Sequence, residues 1–392
     1  MVQFTKSVPP DSSLLPPLIW TFVLFTRIFA HNSLMNKSNA IVLTAGYLDS
    51  DNGKTAHGLI RGTERFNILG IVDEKTAGRD AGEVLDGKQR GIPVYATLQE
   101  FISKSTEKAA YCIIGVATKG GVLPEELRVL LKEAIELGFG IVNGLHDYVC
   151  DHKELVDLAN KKGVEIIDVR KPKKFKDLKF WSGEIERVHC PKIAVLGTDC
   201  ALGKRTTTRF LMQAMRKAGY RAEMIYTGQT GWMQGAKYGF IFDSTLNDFI
   251  SGEMEHAIVQ CWDEAKPDII FIEGQSSLRN PSGPAGAEWI ISANADAAVL
   301  QHNPPRKRYK GLEDFPADIP HPKDEIELIR IYGAPTVALT VNTMKMKEAE
   351  ARQYAATARK ELGIPVILPL EDGVDELVPI FKQMIDESIA QV

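Results

Sequence analysis

The chain has 392 residues, more than one ordinary hydrophobic core requires, so two domains are expected. Its formal net charge of −4 gives no reason to expect the basic surface that nucleic-acid binding needs. The five cysteines are widely spaced and include no C-x-x-C pair. This pattern excludes a disulfide framework and a zinc site as working hypotheses, and it favours reduced thiols in a cytoplasm.

The first 37 residues differ in composition from the rest of the chain. Residues 14–30 are apolar and aromatic, but two prolines and an arginine leave an uncharged part that is short for a membrane span. The weak positive charge before it and the poor cleavage site after it disfavour a signal peptide. Met35 begins a short polar lead into a strand. We therefore hypothesise that residues 1–34 come from an upstream start codon, with targeting or anchoring as the alternative.

Short apolar runs rich in β-branched residues alternate with amphipathic segments from residue 40 onward. This alternation predicts a parallel sheet covered by helices on both faces. Residues 124–138 have the clearest helical period, and Gly138 is placed to end that helix. We assign residues 38–170 to this first domain, with predicted strands at residues 40–46, 67–73, 112–118, 140–145 and 164–169.

Residues 171–190 are basic, contain two prolines in their neighbourhood and show no clear period, so they are predicted to be a linker. The segment is either a solvated crossing or a basic rim for an anionic ligand. A second α/β domain follows at residues 191–392. It opens with the buried strand KIAVLG, and later strands are predicted in DIIFIE, DAAVLQH, PTVALTVN and PVILPL.

The turn after KIAVLG reads GTDCALGKRTTT and resembles a phosphate-binding loop with one extra residue. The usual pattern has four residues between the glycines, whereas five separate Gly197 from Gly203. A glycine turn that leads into a helix N-terminus presents backbone amides and a partial positive charge to an anion. The residues predicted to hold phosphate groups of a cofactor are Gly197, Thr198, Asp199, Cys200, Ala201, Leu202, Gly203, Lys204, Arg205, Thr206 and Thr207. We call residues 197–207 the P-loop.

Arg205 stands where such loops usually carry the hydroxyl residue that helps to bind magnesium. A long cation at this position disfavours a divalent metal and favours additional phosphate. The loop spacing is similar to that of dethiobiotin synthetase, which uses ATP and magnesium. The departure at Arg205 shifts the prediction towards a diphosphate-bearing cofactor, with no metal predicted.

The acidic residue Glu273 ends the predicted strand DIIFIE, on the side where a carboxylate commonly faces a P-loop. Glu273 is the first choice for a general base, with a structural carboxylate as the alternative. Asp243 is the second choice for the base, with a simple helix cap as its alternative. Cys200 could carry an acyl group, although direct transfer needs fewer assumptions.

Polar residues follow several of the predicted strands of the second domain, where binding residues concentrate. Gln229 lies in the glycine-rich stretch YTGQTG, and Ser276 and Arg279 follow Glu273. Arg306 belongs to the basic run PPRKRYKG, which is either a solvated charge run or a clamp over a ligand. We expect Gln229, Ser276, Arg279 and Arg306 to contact the substrate, with the two arginines binding carboxylates.

The segments KTAHGLIR, AGRDAGEVLDG, GTDCALGKRTTT, YTGQTGWM and IEGQSSLRNPSG together resemble one family. That family was long described only as a domain of unknown function, and its assigned members are DgcN-type D-glutamate N-acetyltransferases. The resemblance covers residues 38–390. It implies a two-domain α/β fold, with a Rossmann-like parallel-sheet domain followed by a P-loop NTPase-like domain.

The resemblance also implies acetyl transfer from acetyl-CoA to the amino group of an amino acid, most simply D-glutamate. A homodimer is expected on general grounds, because it is the commonest oligomer of such proteins. Coenzyme A carries phosphates and needs no catalytic magnesium, which agrees with the unusual P-loop. Two alternatives from other classes stay open. One is an ATP- and magnesium-dependent ligase or kinase related to dethiobiotin synthetase, and the other is a non-catalytic sensor of a nucleotide or coenzyme A.

Overall fold

The computed structural model describes residues 37–391, and these form one compact unit. The hypothesis about residues 1–34 therefore lies outside the described residues. Within residues 37–391, no helix combines the length and the apolar character that crossing a bilayer demands. The described chain contains two parallel sheets, one on each side of residue 170.

The first sheet has six strands in the order β3-β2-β1-β4-β5-β6, and every pairing is parallel. The strand order reverses between β1 and β4, which is the arrangement of a Rossmann-like sheet. Helices connect successive strands. The elements are β1 Ser38–Leu43, α1 Lys54–Ile60, β2 Phe66–Val72, α2 Ala81–Asp86, β3 Val94–Tyr95, α3 Leu98–Lys104, β4 Tyr111–Ile114, α4 Glu125–Glu136, β5 Gly140–Asn143, α5 Lys153–Lys162 and β6 Ile166–Asp168.

The second sheet has seven parallel strands in the order β13-β12-β11-β7-β10-β8-β9. Strand β7 lies in the interior between β11 and β10, and all of its residues are buried. The elements are β7 Lys192–Gly197, α6 Lys204–Lys217, β8 Ala222–Tyr226, α7 Gln229–Met233, β9 Tyr238–Gly239, α8 Asn247–Ala265, β10 Ile269–Glu273, α9 Ala287–Ile290, β11 Ala297–His302, α10 Pro322–Tyr332, β12 Thr336–Val341, α11 Glu348–Leu362, β13 Val366–Ile367 and α12 Val378–Gln391.

The predicted fold class is confirmed, since both halves are parallel α/β sheets with the expected order of strands and helices. Helix α4 ends at Glu136, two residues before Gly138, whose φ of 89° is the left-handed conformation that ends a helix. The sequence missed the strands β3 and β9 because two residues are too few to show a period. The glycine-rich stretch YTGQTG is typical of a turn, whereas Gln229 begins the short helix α7.

The predicted linker packs against α8 through two buried carboxylates. Glu253 accepts hydrogen bonds from the Lys173 ammonium and the Lys179 amide, while Glu255 accepts from the amide and hydroxyl of Ser182. Gly252 directly precedes Glu253 on α8, and a Cβ there would come within 2.2 Å of the Lys179 carbonyl oxygen. The segment is therefore fixed to the second domain over this stretch.

The end of α7 contacts the first domain and connects the two domains through hydrogen bonds. Gln234 donates from its amide to the carbonyl oxygens of Gly58 and Gly62, at 2.8 and 3.0 Å. Arg65 donates to the Trp232 carbonyl and stacks its guanidinium 4.1 Å from the centroid of that indole ring. Helix α1 consequently lies against α7, close to the carboxyl ends of the strands in the second sheet.

Candidate functional site

The P-loop connects β7 to α6, and its lysine is folded inward. The Lys204 ammonium donates to the carbonyl oxygens of Asp199 and Ser276, each at 2.7 Å. Lys204 is buried, and this burial lowers its pKa to about 8, although nearby Asp199 and Glu273 oppose the shift. An anion placed beside this ammonium would restore its full charge, so the arrangement suits a phosphate group.

Asp199 connects the P-loop to the basic run that follows β11. Its carboxylate has no exposure to solvent and accepts from the Arg306 guanidinium at 2.9 Å and from the Lys310 amide at 2.9 Å. Arg306 also donates to the Cys200 carbonyl at 2.7 Å. Arg306 therefore holds the P-loop directly, and a substrate carboxylate would have to compete with Asp199 for its guanidinium.

Two residues of this region adopt the left-handed conformation without being glycine. Ala201 has φ of 51° in the P-loop, and Ser276 has φ of 38° in the loop after β10. Such conformations cost about 1–3 kcal/mol each and concentrate where a site needs a fixed geometry. The Ser276 carbonyl binds Lys204, so the strain at Ser276 accompanies a direct contact to the P-loop lysine.

Two hydroxyl groups of the P-loop are already engaged by β11. Thr198 shares a hydrogen bond with the His302 imidazole at 2.9 Å, and Thr207 donates to the Gln301 side chain at 2.5 Å. Burial lowers the pKa of His302 to about 3, so this imidazole is neutral at any ordinary pH and is unsuited to acid–base work. The Thr207 hydroxyl points to the sheet and would need to turn to reach a metal.

Glu273 ends β10 and is 4% exposed. Burial raises the pKa of its carboxyl, while the positive charge of Arg205 and the amide of Thr227, 3.1 Å away, oppose the rise. Gly231 gives this carboxylate its room, because a Cβ there would come within 2.8 Å of the Glu273 Oε2 atom. A raised pKa brings a carboxylate closer to the range in which it exchanges protons near neutral pH.

Asp243 lies elsewhere and is engaged in a different contact. It sits in a short turn, residues 242–244, and it forms an ion pair with Arg170. The His146 imidazole lies 3.7 Å from the same carboxylate oxygen. Asp243 does not cap α8, whose first residue is Asn247 and whose preceding residue Leu246 has no capping side chain. The simple helix-cap interpretation of Asp243 is therefore wrong.

The other predicted substrate contacts surround the same edge of the sheet. Arg279 forms an ion pair with the buried carboxylate of Glu325 at 2.7 Å. Gln229 is the first residue of α7 and is buried, with its side chain against Gly144 of the first domain. Ser276 and Cys200 face each other, with 3.5 Å between the cysteine sulfur and the serine oxygen. Their predicted roles in binding stay predictions.

Arg205 differs from the other arginines of the site. Its Nε atom is buried and has no hydrogen-bond partner in residues 37–391. Burial lowers the pKa of its guanidinium, the charges of Arg61 and Arg209 add to this, and Glu273 opposes it. The guanidinium reaches α1, since a Cβ on Gly58 would come within 2.8 Å of its Nη2 atom.

The first domain contributes Lys54 at the start of α1. This side chain is exposed, yet its pKa is lowered by partial burial and by the positive charges of Lys310, Arg170 and Arg205. In the sequence, Gly53-Lys54-Thr55 mimics the end of a phosphate-binding loop, but six residues separate Gly53 from Gly46, so this signal for Lys54 is weak. Lys54 and Gly58 are four residues apart and lie on one face of α1.

Comparison with known proteins identifies the family. The DUF1611 P-loop domain, a domain of unknown function, matches residues 179–378, and the DUF1611 Rossmann-like domain matches residues 74–172. The chain belongs to the DUF1611 family. A DUF1611 family protein from Anabaena variabilis has a crystal structure that superposes with a TM-score of 0.80 at 28% sequence identity, over 88% of this chain and 100% of that one.

Two relatives with curated names share part of this similarity. A protein from Pseudoalteromonas is 30% identical over 273 residues, which is 68% of this chain and 79% of that protein. A protein from Tritonibacter scottomollicae is 29% identical over 277 residues, with the same two coverages. Both are named D-glutamate N-acetyltransferase.

Proposed function

We propose that this protein is an N-acetyltransferase that moves the acetyl group of acetyl-CoA to the amino group of an amino acid, with D-glutamate as the expected acceptor. The observation that carries the proposal is Glu273, a buried carboxylate with a raised pKa that lies near enough to the P-loop lysine for each charge to affect the pKa of the other. The names of the two relatives support the same reaction class.

The P-loop is suited to the phosphates of coenzyme A. Lys204 offers a cation whose present partners are two carbonyl oxygens, and the N-terminus of α6 adds backbone amides. Arg205 takes the position of the hydroxyl that usually binds magnesium, and the Thr207 hydroxyl is engaged by Gln301. These features support binding of a phosphate-bearing donor over an ATP-dependent reaction.

Glu273 is proposed to accept a proton from the bound ammonium group, so that the nitrogen lone pair can attack the thioester carbonyl carbon. The carbon–sulfur bond then breaks, and the coenzyme A thiolate takes the second nitrogen proton as the amide forms. The proton on Glu273 leaves to solvent. The P-loop is taken up by the phosphates of the donor, so Gln229 or Ser276 is proposed to stabilise the negative oxygen that develops on the carbonyl. Asp243 is less suited to the proton transfer because Arg170 already occupies it.

The test is thiol release from acetyl-CoA by purified protein in the presence of a metal chelator, with and without D-glutamate. The proposed function predicts release that depends on D-glutamate and is insensitive to chelation. Phosphate release from ATP after magnesium is restored, without thiol release, would establish the ligase or kinase alternative. Binding of coenzyme A without turnover of any amino acid would establish the sensor alternative.

The expected homodimer and cytoplasmic location belong to the proposal. Light scattering of the purified protein measures the first, and cell fractionation measures the second. A monomer at the concentration at which activity is measured would contradict the dimer without affecting the proposed reaction.

A further inference from the structure

The arginines first expected to bind substrate carboxylates already have acidic partners in the protein. Arg279 is paired with Glu325 and Arg306 with Asp199, and both of these carboxylates are buried. Removing an arginine from such a partner leaves an uncompensated buried charge, which is strongly unfavourable. The carboxylates of the acceptor are therefore expected to bind to cations whose N–H donors do not already have an acidic partner.

Arg205 is a cation of this kind, and Glu273 is a carboxylate of opposite charge near it. Each charge shifts the pKa of the other, yet no ion pair within 4.0 Å joins them in the described part of the chain. The buried Nε atom of Arg205 has no partner among residues 37–391. A positive group and a negative group that lie near each other without contact are complementary to an amino-acid zwitterion. The ammonium and the carboxylate of such a zwitterion are attached to the same carbon.

The glycines around this pair allow the backbone to come close to both groups. A Cβ on Gly58 would lie 2.8 Å from the Arg205 guanidinium, and one on Gly231 would lie 2.8 Å from the Glu273 carboxylate. Gly58 belongs to the first domain and Gly231 to the second. The pair is thus enclosed by α1 and α7, at the carboxyl edge of a parallel sheet where ligands of such folds bind.

Lys54 extends this arrangement by a second positive charge. It lies one helical turn before Gly58 on the same face of α1, and its ammonium is within electrostatic reach of Arg205. The Lys54 ammonium forms no ion pair within 4.0 Å in residues 37–391, whereas the nearby cations Arg170 and Lys310 already face Asp243 and Asp51. An anion at this place would therefore find Lys54 available. An acidic side chain of the acceptor supplies such an anion.

We infer that Arg205 binds the α-carboxylate of the acceptor and Lys54 binds its side-chain carboxylate, with the acceptor ammonium at Glu273, in a site between the two domains. This inference rests on the proposed function and specifies its acceptor site. It moves Arg205 from the phosphates of the donor to the acceptor. Arg205 and Lys54 are then binding residues contributed by different domains, so the site is complete only when the domains are joined.

The test combines variants with acceptor analogues that each lack one charge. The analogues are 4-aminobutyrate, which lacks the α-carboxylate of D-glutamate, and D-glutamine, whose side chain is neutral. Arg205→Gln should raise the KM for D-glutamate on the order of 10- to 100-fold, the value of a charge-assisted contact, and leave the KM for acetyl-CoA within about 2-fold. The same variant should have no further effect on the already weak use of 4-aminobutyrate.

Lys54→Gln should raise the KM for D-glutamate by about 5-fold, because Lys54 is exposed, and should not alter the use of D-glutamine. Arg216→Gln is the matched control, since Arg216 lies on α6 like Arg205 but pairs with Glu223. This control should leave every KM unchanged. Arg205→Lys, which keeps the charge, guards against misfolding and should lie between wild type and Arg205→Gln.

Equilibrium dialysis of labelled D-glutamate, with and without coenzyme A, separates this inference from the proposed function. Binding by the wild type that is lost in Arg205→Gln supports the inference even if no acetyl transfer is seen. Three results overturn it: no binding of D-glutamate by the wild type, unchanged acceptor binding in Arg205→Gln, or a raised KM for acetyl-CoA alone. In the last two cases, thiol release that depends on D-glutamate would leave the proposed function standing.

Discussion

Two turns of this molecule share the order strand, glycine, lysine and helix. They differ in the groups that fill the turn and form hydrogen bonds within it. Between β1 and α1 the turn ends in Gly53-Lys54, and between β7 and α6 it ends in Gly203-Lys204. In both sheets, a carboxylate lies at the carboxyl end of a strand that pairs with the strand leading into the turn. Asp73 follows β2 in the first domain, and Glu273 ends β10 in the second.

The Asp73 carboxylate accepts its hydrogen bonds from residues of its own domain. One carboxylate oxygen accepts from the Thr44 hydroxyl at 2.7 Å and the Leu48 amide at 3.1 Å, and the other accepts from the hydroxyl and amide of Thr76. These bonds hold the pKa of Asp73 below its usual value, although burial opposes them. The first turn is thus closed by an anion of the protein.

In the described residues, Glu273 accepts no hydrogen bond from the P-loop, unlike Asp73 in the first turn. Its hydrogen bonds come from the backbone after β8, and the P-loop lysine is held by carbonyl oxygens. The interior of the first turn is filled by a carboxylate of the protein, so only Lys54 at its edge is left for a ligand. In the P-loop the lysine contacts neutral carbonyl oxygens, so this turn is open to a ligand anion.

The largest effect is expected for Glu273→Gln, which removes the proposed base without changing its size. The value of kcat/KM should fall by about 10²- to 10⁴-fold. In the wild type, activity should be lost as the pH falls through the raised pKa of Glu273, because the protonated carboxyl cannot accept a proton. A pH–rate profile measures both effects.

Glu223→Gln is the control for that experiment. Glu223 is another glutamate whose pKa is raised by burial, and it pairs with Arg216 on a different part of the second sheet. Its replacement should leave kcat/KM and the acidic limb of the profile unchanged. An undiminished rate in Glu273→Gln would remove Glu273 as the base.

Lys204→Met is expected to weaken donor binding by about 10- to 100-fold, as for loss of one charge-assisted contact. A pKa of about 8 means that Lys204 in the free protein has lost half of its charge near pH 8, whereas a bound phosphate should keep it charged. Donor binding should therefore take up protons between about pH 8 and pH 10 and weaken over that range. Calorimetry in two buffers of different ionisation enthalpy measures this uptake, and Lys204→Met should abolish it.

The sequence could predict much of this fold, because buried strands and amphipathic helices leave strong periodic patterns. The P-loop and Glu273 could also be located, since each directly follows or ends an apolar strand. The partners of Arg279 and Arg306 could not be predicted, because Glu325 and Asp199 meet them only through the tertiary fold. The role of Gly58 likewise depends on how closely two domains approach, which no local pattern records.

Asp73→Asn should lower stability and spare donor binding. Removing the charge from a buried, fully hydrogen-bonded carboxylate should reduce the free energy of unfolding by about 1–3 kcal/mol. The depressed pKa of Asp73 contributes stability above the ordinary aspartate pKa, and this contribution is lost as the pH falls through the depressed value. Thermal unfolding as a function of pH should show this loss in the wild type and a flatter profile in the variant.

The donor affinity of Asp73→Asn provides the comparison with the P-loop. If the first turn is structural, the affinity for coenzyme A should equal that of the wild type at a temperature where both are folded. Weakened donor binding in a folded Asp73→Asn protein would mean that the first turn also contacts the donor.

The smallest effect concerns one alanine in each turn. Ala45 has φ of 46° and Ala201 has φ of 51°, so both hold the left-handed conformation that glycine adopts more easily. Ala45→Gly and Ala201→Gly should each stabilise the protein by about 1 kcal/mol or less, because relief of strain is partly offset by the greater freedom of the unfolded chain. Chemical denaturation measures this change.

Donor binding should separate the two alanine variants. The strained Ala201 keeps the P-loop in its binding conformation, so Ala201→Gly should weaken binding of coenzyme A by about 2- to 5-fold through lost preorganisation. Ala45→Gly should not, since Asp73 fixes the first turn from within. Equal donor affinity in both variants would show that the P-loop backbone is held by the Asp199 and Lys204 contacts alone, and that the strain at Ala201 serves the fold rather than the ligand.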